Sequence, residues 1–167
     1  MRTFVLIIIA VISYLLGSLN GSIIVSRRLF HKDIRRYGSG NAGLTNFHRT
    51  FGLAGFVLVF LIDFFKAFIA AQIGGALMGI FGYAMVGKLF AGFCAMLGHS
   101  YPVFFGFRGG KGVLAGIGML FAADWRIACI CMIVFIAVVA FTRYVSLGSI
   151  LAACCAPLAV WAFNYGG

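Results

Sequence analysis

Long apolar runs alternate along this chain with short polar stretches rich in glycine. About 20 apolar residues are needed to cross the hydrocarbon core of a bilayer. The pattern predicts such segments at 4–25, 51–72 and 89–107, a shorter apolar helix at 112–123, and two more segments at 127–141 and 145–163, six in all. A third segment starting near Leu77 would put Lys88 at mid-membrane, at a cost of about 2.5–3.5 kcal/mol, so the pattern favours a start just after that lysine. Residues 4–16 follow Arg2 like a signal-peptide core. No small-x-small cleavage pattern comes next, and the apolar character runs on to Val25, which predicts a retained helix.

Composition narrows the class. Hydrophobic residues make up 63 % of the chain and charged residues 10 %, and the mean hydropathy is +1.11. A soluble domain cannot hide that much apolar surface. The expectation is an all-α integral membrane protein, a polytopic helical bundle forming a single domain over 1–167.

Charge then gives a direction. The net charge of +10 comes from Lys and Arg scattered between apolar runs, with no basic face for a duplex, so no nucleic acid is expected. Placing the N-terminus outside gathers nine cations on one face: Arg27, Arg28, Lys32, Arg35, Arg36, Arg49, Arg108, Lys111 and Arg143. Arg2, Lys88 and Arg126 fall on the other. The positive-inside rule makes the nine-charge face cytoplasmic. Gly17/Gly21, Gly75/Gly79 and Gly112/Gly116 have the small-xxx-small spacing of close helix packing. Asp63 and Lys66, three apart on one helix face, predict a neutralising pair. The five cysteines lie within apolar runs, without C-x-x-C spacing, and read as small hydrophobes.

Three polar clusters fall on the predicted cytoplasmic side. The first, "DIRRYGSGNAGLTNFHR", holds three glycines in the six residues from Gly38 to Gly43. Such a stretch can turn backbone N–H groups toward one anion. Ser39, Asn41, Thr45 and Asn46 add neutral donors, and Arg49 adds a fork suited to phosphate. The second, "LGHSYPVFFGFRGGKG", brings His99, Arg108, Gly109, Gly110 and Lys111 to the start of a helix. It is not a Walker loop: one residue too few separates Gly106 from Gly110-Lys111, and Gly112 stands where Ser or Thr is required. His99 reads equally as an interface histidine or a catalytic one. The third, "TRYVSLGSI", places Ser146 and Ser149 one helical turn apart.

Together the clusters predict a phosphate pocket rich in cations and hydroxyls, with Asp33 as its only carboxylate. That predicts no metal and no cofactor, and it disfavours Asp/Glu acid–base chemistry, so the substrate should arrive already activated. The H-x₄-D signature of many phospholipid acyltransferases is absent: Arg36, Leu53 and Phe104 occupy the aspartate position after His31, His48 and His99. A small organophosphate or anion transporter is the rival reading, although its site should lie at mid-membrane, often within an inverted repeat. A membrane scaffold with lipid-binding basic loops is a third.

In order and spacing, the three clusters resemble the cytoplasmic motifs of the bacterial acyl-phosphate-dependent glycerol-3-phosphate acyltransferases, the PlsY family, from about Leu16 to Pro157. The resemblance implies a multi-pass enzyme of the bacterial inner membrane, with seven helices and its site facing the cytoplasm. It implies transfer of a fatty acyl group from acyl phosphate to the sn-1 hydroxyl of glycerol 3-phosphate, giving lysophosphatidic acid and phosphate in phospholipid synthesis. The implied partners are those two substrates, the lipid bilayer and a soluble enzyme that makes the acyl phosphate. Ser39, Arg49, Lys111 and Ser149 match the family's site residues. Gly38–Asn41, Thr45 and Asn46 match its phosphate loop, and His99 falls in a shared motif. Two departures stand out. Asn20 occupies a position where the family often has proline, and the family's seventh helix, with its His-x-x-Asn-x-x-Arg pattern, would lie past Gly167. Either the sequence is truncated there or the protein lacks part of its site, and the sidedness favours truncation.

Overall fold

The computed structural model describes residues 1–165, and among them it holds eight α-helices and no strand. The chain forms two compact units, 1–123 and 124–167. The first contains α1 (Arg2–Gly17), α2 (Gly21–Phe30), α3 (Leu44–Phe51), α4 (Phe56–Gly79), α5 (Ala84–Ser100) and α6 (Val113–Ala123). The second contains α7 (Trp125–Thr142) and α8 (Val145–Tyr165). Four stretches are long and apolar enough to cross a membrane: Arg2–Phe30, Phe56–Gly79, Trp125–Thr142 and Val145–Phe163.

Residue size is distributed as in a lipid-embedded protein. The buried positions of α4, α5 and α6 are largely alanines and glycines, among them Ala67, Ala70, Ala91, Ala95 and Ala115, while Ile7, Phe65, Phe93 and Leu97 are exposed. Lipid is as apolar as leucine, so large side chains need no burial, and small ones let backbones approach. A Cβ on Gly98 would overlap the Tyr14 carbonyl of α1, and one on Gly74 would overlap Gly87 and Ala91 of α5. Of the pairs expected from spacing, Gly17 and Gly21 do meet neighbouring backbone, and Gly75 meets the Lys88 side chain. Gly112 instead occupies a left-handed turn at φ 76°, and Gly79 and Gly116 have only ordinary or slightly tight side-chain neighbours.

The helix expected at 4–25 is broken at Ser18–Asn20. The Asn20 side chain accepts the Ile23 N–H at 3.1 Å and so caps α2. The break frees the Leu19 carbonyl, which accepts from Lys66 Nζ at 3.0 Å, and the Gly21 N–H, which donates to Asp63 Oδ1 at 2.9 Å. Irregular backbone is tolerated at depth because protein groups satisfy it. The segment expected at 51–72 begins at Phe56, after turns at Gly52 (φ 68°) and Gly55 (φ 81°), and continues to Gly79. The segment expected at 89–107 runs from Ala84 to Ser100. Lys88 lies inside it because its ammonium donates to the Ala122 carbonyl at 2.7 Å, near the end of α6, where the helix dipole favours a cation. The chain leaves α5 before Pro102, which cannot continue a helix.

In the second unit α7 and α8 pack on each other across a short turn. Arg143 takes the left-handed conformation at φ 62° and donates its N–H to Val139 O at 2.9 Å. At the opposite end the Arg126 guanidinium lies 5.0 Å from the centroid of the Phe163 ring.

Candidate functional site

The first polar cluster is folded mainly by one side chain. Asn46 accepts the Ser39 N–H at 2.9 Å and donates to the Tyr37 carbonyl at 3.1 Å and the Asn41 carbonyl at 2.9 Å. A Cβ on Gly38 (φ 56°) would overlap Asn46 Oδ1, so glycine is needed there both for conformation and for room. The Ser39 N–H goes to Asn46 and the Gly40 N–H to Tyr37 O at 3.0 Å. The glycine turn therefore spends these donors on its own shape. The donors left facing outward begin at α3, whose first N–H groups follow Gly43 with no side-chain cap. Ser39 and Thr45 are exposed beside that helix start, and Arg49 is exposed in the last turn of α3. Asn46, expected among the phosphate donors, instead builds the loop.

Arg35, which sequence marked only as a topological charge, fastens this loop to the second cluster. Its guanidinium pairs with Asp33 at 2.8 Å and donates to the Phe105 carbonyl at 2.6 Å and the Arg108 carbonyl at 3.1 Å. Arg27 adds a second 2.8 Å contact to Asp33. The hydrogen bond from Arg35, supported by Arg27, holds the Asp33 carboxyl well below the usual carboxylate range. A lowered carboxyl stabilises the fold at every pH above its unfolded value, and that contribution is lost only as pH falls through the lowered value. Asp33→Asn should therefore destabilise the protein by about 1–2 kcal/mol, a modest figure for a partly exposed site. The difference from wild type should persist down to about pH 4, where an ordinary aspartate is half protonated. Thermal unfolding in detergent at neutral and mildly acidic pH reads this out, and equal stabilities at both would refute it.

The second cluster folds back on the end of α5. The Gly109 N–H donates to Ser100 O at 3.0 Å and the Gly110 N–H to His99 O at 3.1 Å. A Cβ on Gly110 would overlap His99 Nε2 and come within 2.5 Å of the Ala42 carbonyl. Ala42 also accepts from the Asn20 side chain at 3.1 Å, and its N–H reaches Gly109 O at 3.4 Å. The two glycine loops thus meet at one seam, with His99 beneath it. A cavity of about 410 Å³ opens beside the seam, lined by Phe93, Met96, Leu97, Ser100, Tyr101, Gly110 and Lys111. It is apolar along α5 and cationic at Lys111.

His99 is buried with the pair Asp63 and Lys66, which sequence read as a structural pair on α4 alone. Lys66 Nζ lies 2.7 Å from Asp63 Oδ1 and 2.9 Å from His99 Nδ1. The signal for this link was present, since ionisable groups in membrane segments call for partners, but no local spacing joins residue 66 to residue 99. Ser149 lies in the second unit, where its hydroxyl donates to the Ser146 carbonyl at 2.9 Å within α8.

The profile of the family described as glycerol-3-phosphate acyltransferase matches residues 7–166. A protein of Clostridioides difficile (strain 630) named glycerol-3-phosphate acyltransferase is 43 % identical over 162 residues, covering 95 % of this chain and 78 % of the relative. One of the same name from Aquifex aeolicus (strain VF5) is 40 % identical over 157 residues, covering 94 % and 80 %. Among solved structures, the crystal structure of PlsY, an integral membrane glycerol 3-phosphate acyltransferase, in its glycerol 3-phosphate form is 37 % identical with a TM-score of 0.83, over 96 % of this chain and 78 % of that one. Its lysophosphatidic acid form matches with a TM-score of 0.80 at 35 % identity.

Proposed function

This chain belongs to the glycerol-3-phosphate acyltransferase family, and on that footing we propose that it moves a fatty acyl group from acyl phosphate to the sn-1 hydroxyl of glycerol 3-phosphate. The products are lysophosphatidic acid and inorganic phosphate. The observation that carries this reading is the seam of two glycine loops and a lysine that lines an apolar cavity of about 410 Å³. The polar end suits phosphate, and the apolar walls suit an acyl chain arriving sideways from the bilayer.

An acyl phosphate is a mixed anhydride, so no covalent acyl-enzyme is required. The glycerol oxygen bonds to the carbonyl carbon while the bond to the phosphate oxygen breaks, and its electron pair leaves with phosphate. Positioning and charge stabilisation carry such a step. Arg49 and Lys111 neutralise phosphate and the developing charge, together with Arg108. The start of α3, with Thr45, supplies backbone and hydroxyl donors, while the Gly109–Gly110 turn, whose own N–H groups go to Ser100 and His99, holds Arg108 and Lys111 on either side of it. Gly38, Gly40, Asn41 and Asn46 shape the loop that carries them. Ser39 positions substrate by hydrogen bonding. Ser149 is given the same role on the likeness of its motif. The hydroxyl proton has two candidate acceptors, His99 and a substrate phosphate oxygen.

The protein is a multi-pass membrane enzyme, as its long apolar helices and its integral membrane structural neighbour support. We place it in a bacterial inner membrane as one acyltransferase domain of six segments, N-terminus outside, its polar loops facing the cytoplasm where a soluble enzyme supplies acyl phosphate. The nine clustered cations support that sidedness. Purified protein in lipid, given glycerol 3-phosphate, should yield lysophosphatidate from palmitoyl phosphate and none from palmitoyl-CoA. Product from the thioester, alone or as readily as from the acyl phosphate, would refute the donor assignment.

A further inference from the structure

His99 is buried, and so are the two charged groups beneath it: the exposures are 3 % for His99, 1 % for Asp63 and 6 % for Lys66. An ammonium has three protons and no lone pair. Lys66 directs its protons at three acceptors: the Leu19 carbonyl at 3.0 Å, Asp63 Oδ1 at 2.7 Å and His99 Nδ1 at 2.9 Å. The ring nitrogen facing a lysine must therefore be the one with the lone pair. Asp63 Oδ1 is 3.4 Å from the same nitrogen, beyond the usual range for a competing hydrogen bond. With Nδ1 accepting, the neutral ring carries its proton on Nε2.

Nε2 is the atom that a Cβ on Gly110 would overlap, beside the Ala42 carbonyl. The ring thus turns an N–H toward the seam where the two glycine loops meet. A carboxylate–histidine dyad would need the opposite tautomer, with Nδ1–H on Asp63 and a lone pair on Nε2. That would set two N–H donors against each other at 2.9 Å. The charged groups on the elements around the ring are Asp63 and Lys66 of α4, with Arg108 and Lys111 flanking the glycines above it.

We propose that Asp63 and Lys66 are positioning residues that lock His99 as its Nε2–H tautomer, so that His99 gives the loop seam a hydrogen-bond donor and is not the base of the reaction. This rests on the acyltransferase reading for its consequence, though not for its structural content. Of the two proton acceptors named above, it leaves the substrate phosphate oxygen. His99 then acts through the Gly109–Lys111 turn, and its loss weakens the hold on glycerol 3-phosphate.

Nitrogen NMR of the whole protein, labelled at its imidazoles and held in lipid nanodiscs, tests the tautomer without any turnover. His99→Gln identifies the resonances by their disappearance. The expected result is a ring protonated at Nε2 and bare at Nδ1. A proton on Nδ1, or on both nitrogens at neutral pH, would overturn the proposal. Kinetics supply the second arm. His99→Phe should raise KM for glycerol 3-phosphate about tenfold, the worth of one hydrogen bond, with a smaller effect on kcat. His99→Gln, which keeps an N–H near the Nε2 position, should recover most of that loss and leave the shape of the pH–rate profile intact. Loss of one limb of that profile in His99→Gln would identify His99 as a base and overturn the proposal. If the tautomer is as expected but no acyl transfer occurs, the acyltransferase reading has failed and the lock has not.

Discussion

Lys111→Ala abolishes turnover, by at least about 10³-fold, while the protein remains folded. The removed charge lines the cavity, directly after Gly110, whose backbone is packed against His99 Nε2 and Ala42. That packing leaves the Gly109–Gly110 turn little freedom to move, so the lysine is presented from a preorganised loop. Charge that develops on a carbonyl oxygen and a departing phosphate is stabilised best by a cation already in place, and one lost donor at such a site costs about 10²–10³ in kcat. A full charge does more than a neutral donor, and no other side chain lining the cavity is cationic. Lys111 is exposed, so its truncation creates no core void. Initial rates of lysophosphatidate formation measure the loss, and thermal unfolding in detergent shows that the fold survives. Activity within tenfold of wild type would remove the lysine from the mechanism.

Lys66→Met has the largest expected effect on stability, about 3–5 kcal/mol, as when one partner of a buried ion pair is removed. The substitution fills similar space but leaves the Leu19 carbonyl and His99 Nδ1 without the lysine donor and takes one of two donors from Asp63 Oδ1. Asp63 would then hold a buried charge supported by the Gly21 N–H. Its second oxygen, Oδ2, has no hydrogen-bond partner among the described residues even in the intact protein. Neutralising that charge as well, in Asp63→Asn/Lys66→Met, should recover part of the loss. Full recovery is not expected, because Leu19 O and His99 Nδ1 still lack their donor. Unfolding of the two single variants and the double in one detergent gives the coupling energy. A double variant as unstable as the sum of the singles would show that the two charges do not support each other in the fold.

The break at Ser18–Asn20 shows where local reading stops. Both flanks are apolar and suit a continuous helix, and only the partners at Ile23, Ala42, Asp63 and Lys66 make the irregular backbone affordable. Lys88 marks the same boundary from the other side. Taken alone it is a charge to be kept out of the membrane, and in the structure the Ala122 carbonyl of α6 receives it. Asn46 and Arg35 changed meaning once folded. A polar residue beside a glycine loop looks like a ligand donor, yet three hydrogen bonds to that loop occupy Asn46 in the first turn of α3. Arg35 looks like one cation among many on a basic face, yet it ties two loops together.

The sequence by itself determined the membrane class, the all-helical architecture and the family. Each of these is written in runs of apolar residues or in contiguous motifs, where neighbours along the chain suffice. It also marked His99, Lys111 and the two glycine loops as the places where polar chemistry collects. Only the tertiary structure decided which donors the loops keep for themselves, which glycines touch, and which nitrogen of His99 faces the seam. Those outcomes depend on hydrogen-bond partners far apart in the chain, as Lys66 and His99 are, and a buried polar group takes its state from whatever the fold brings within about 3 Å of it.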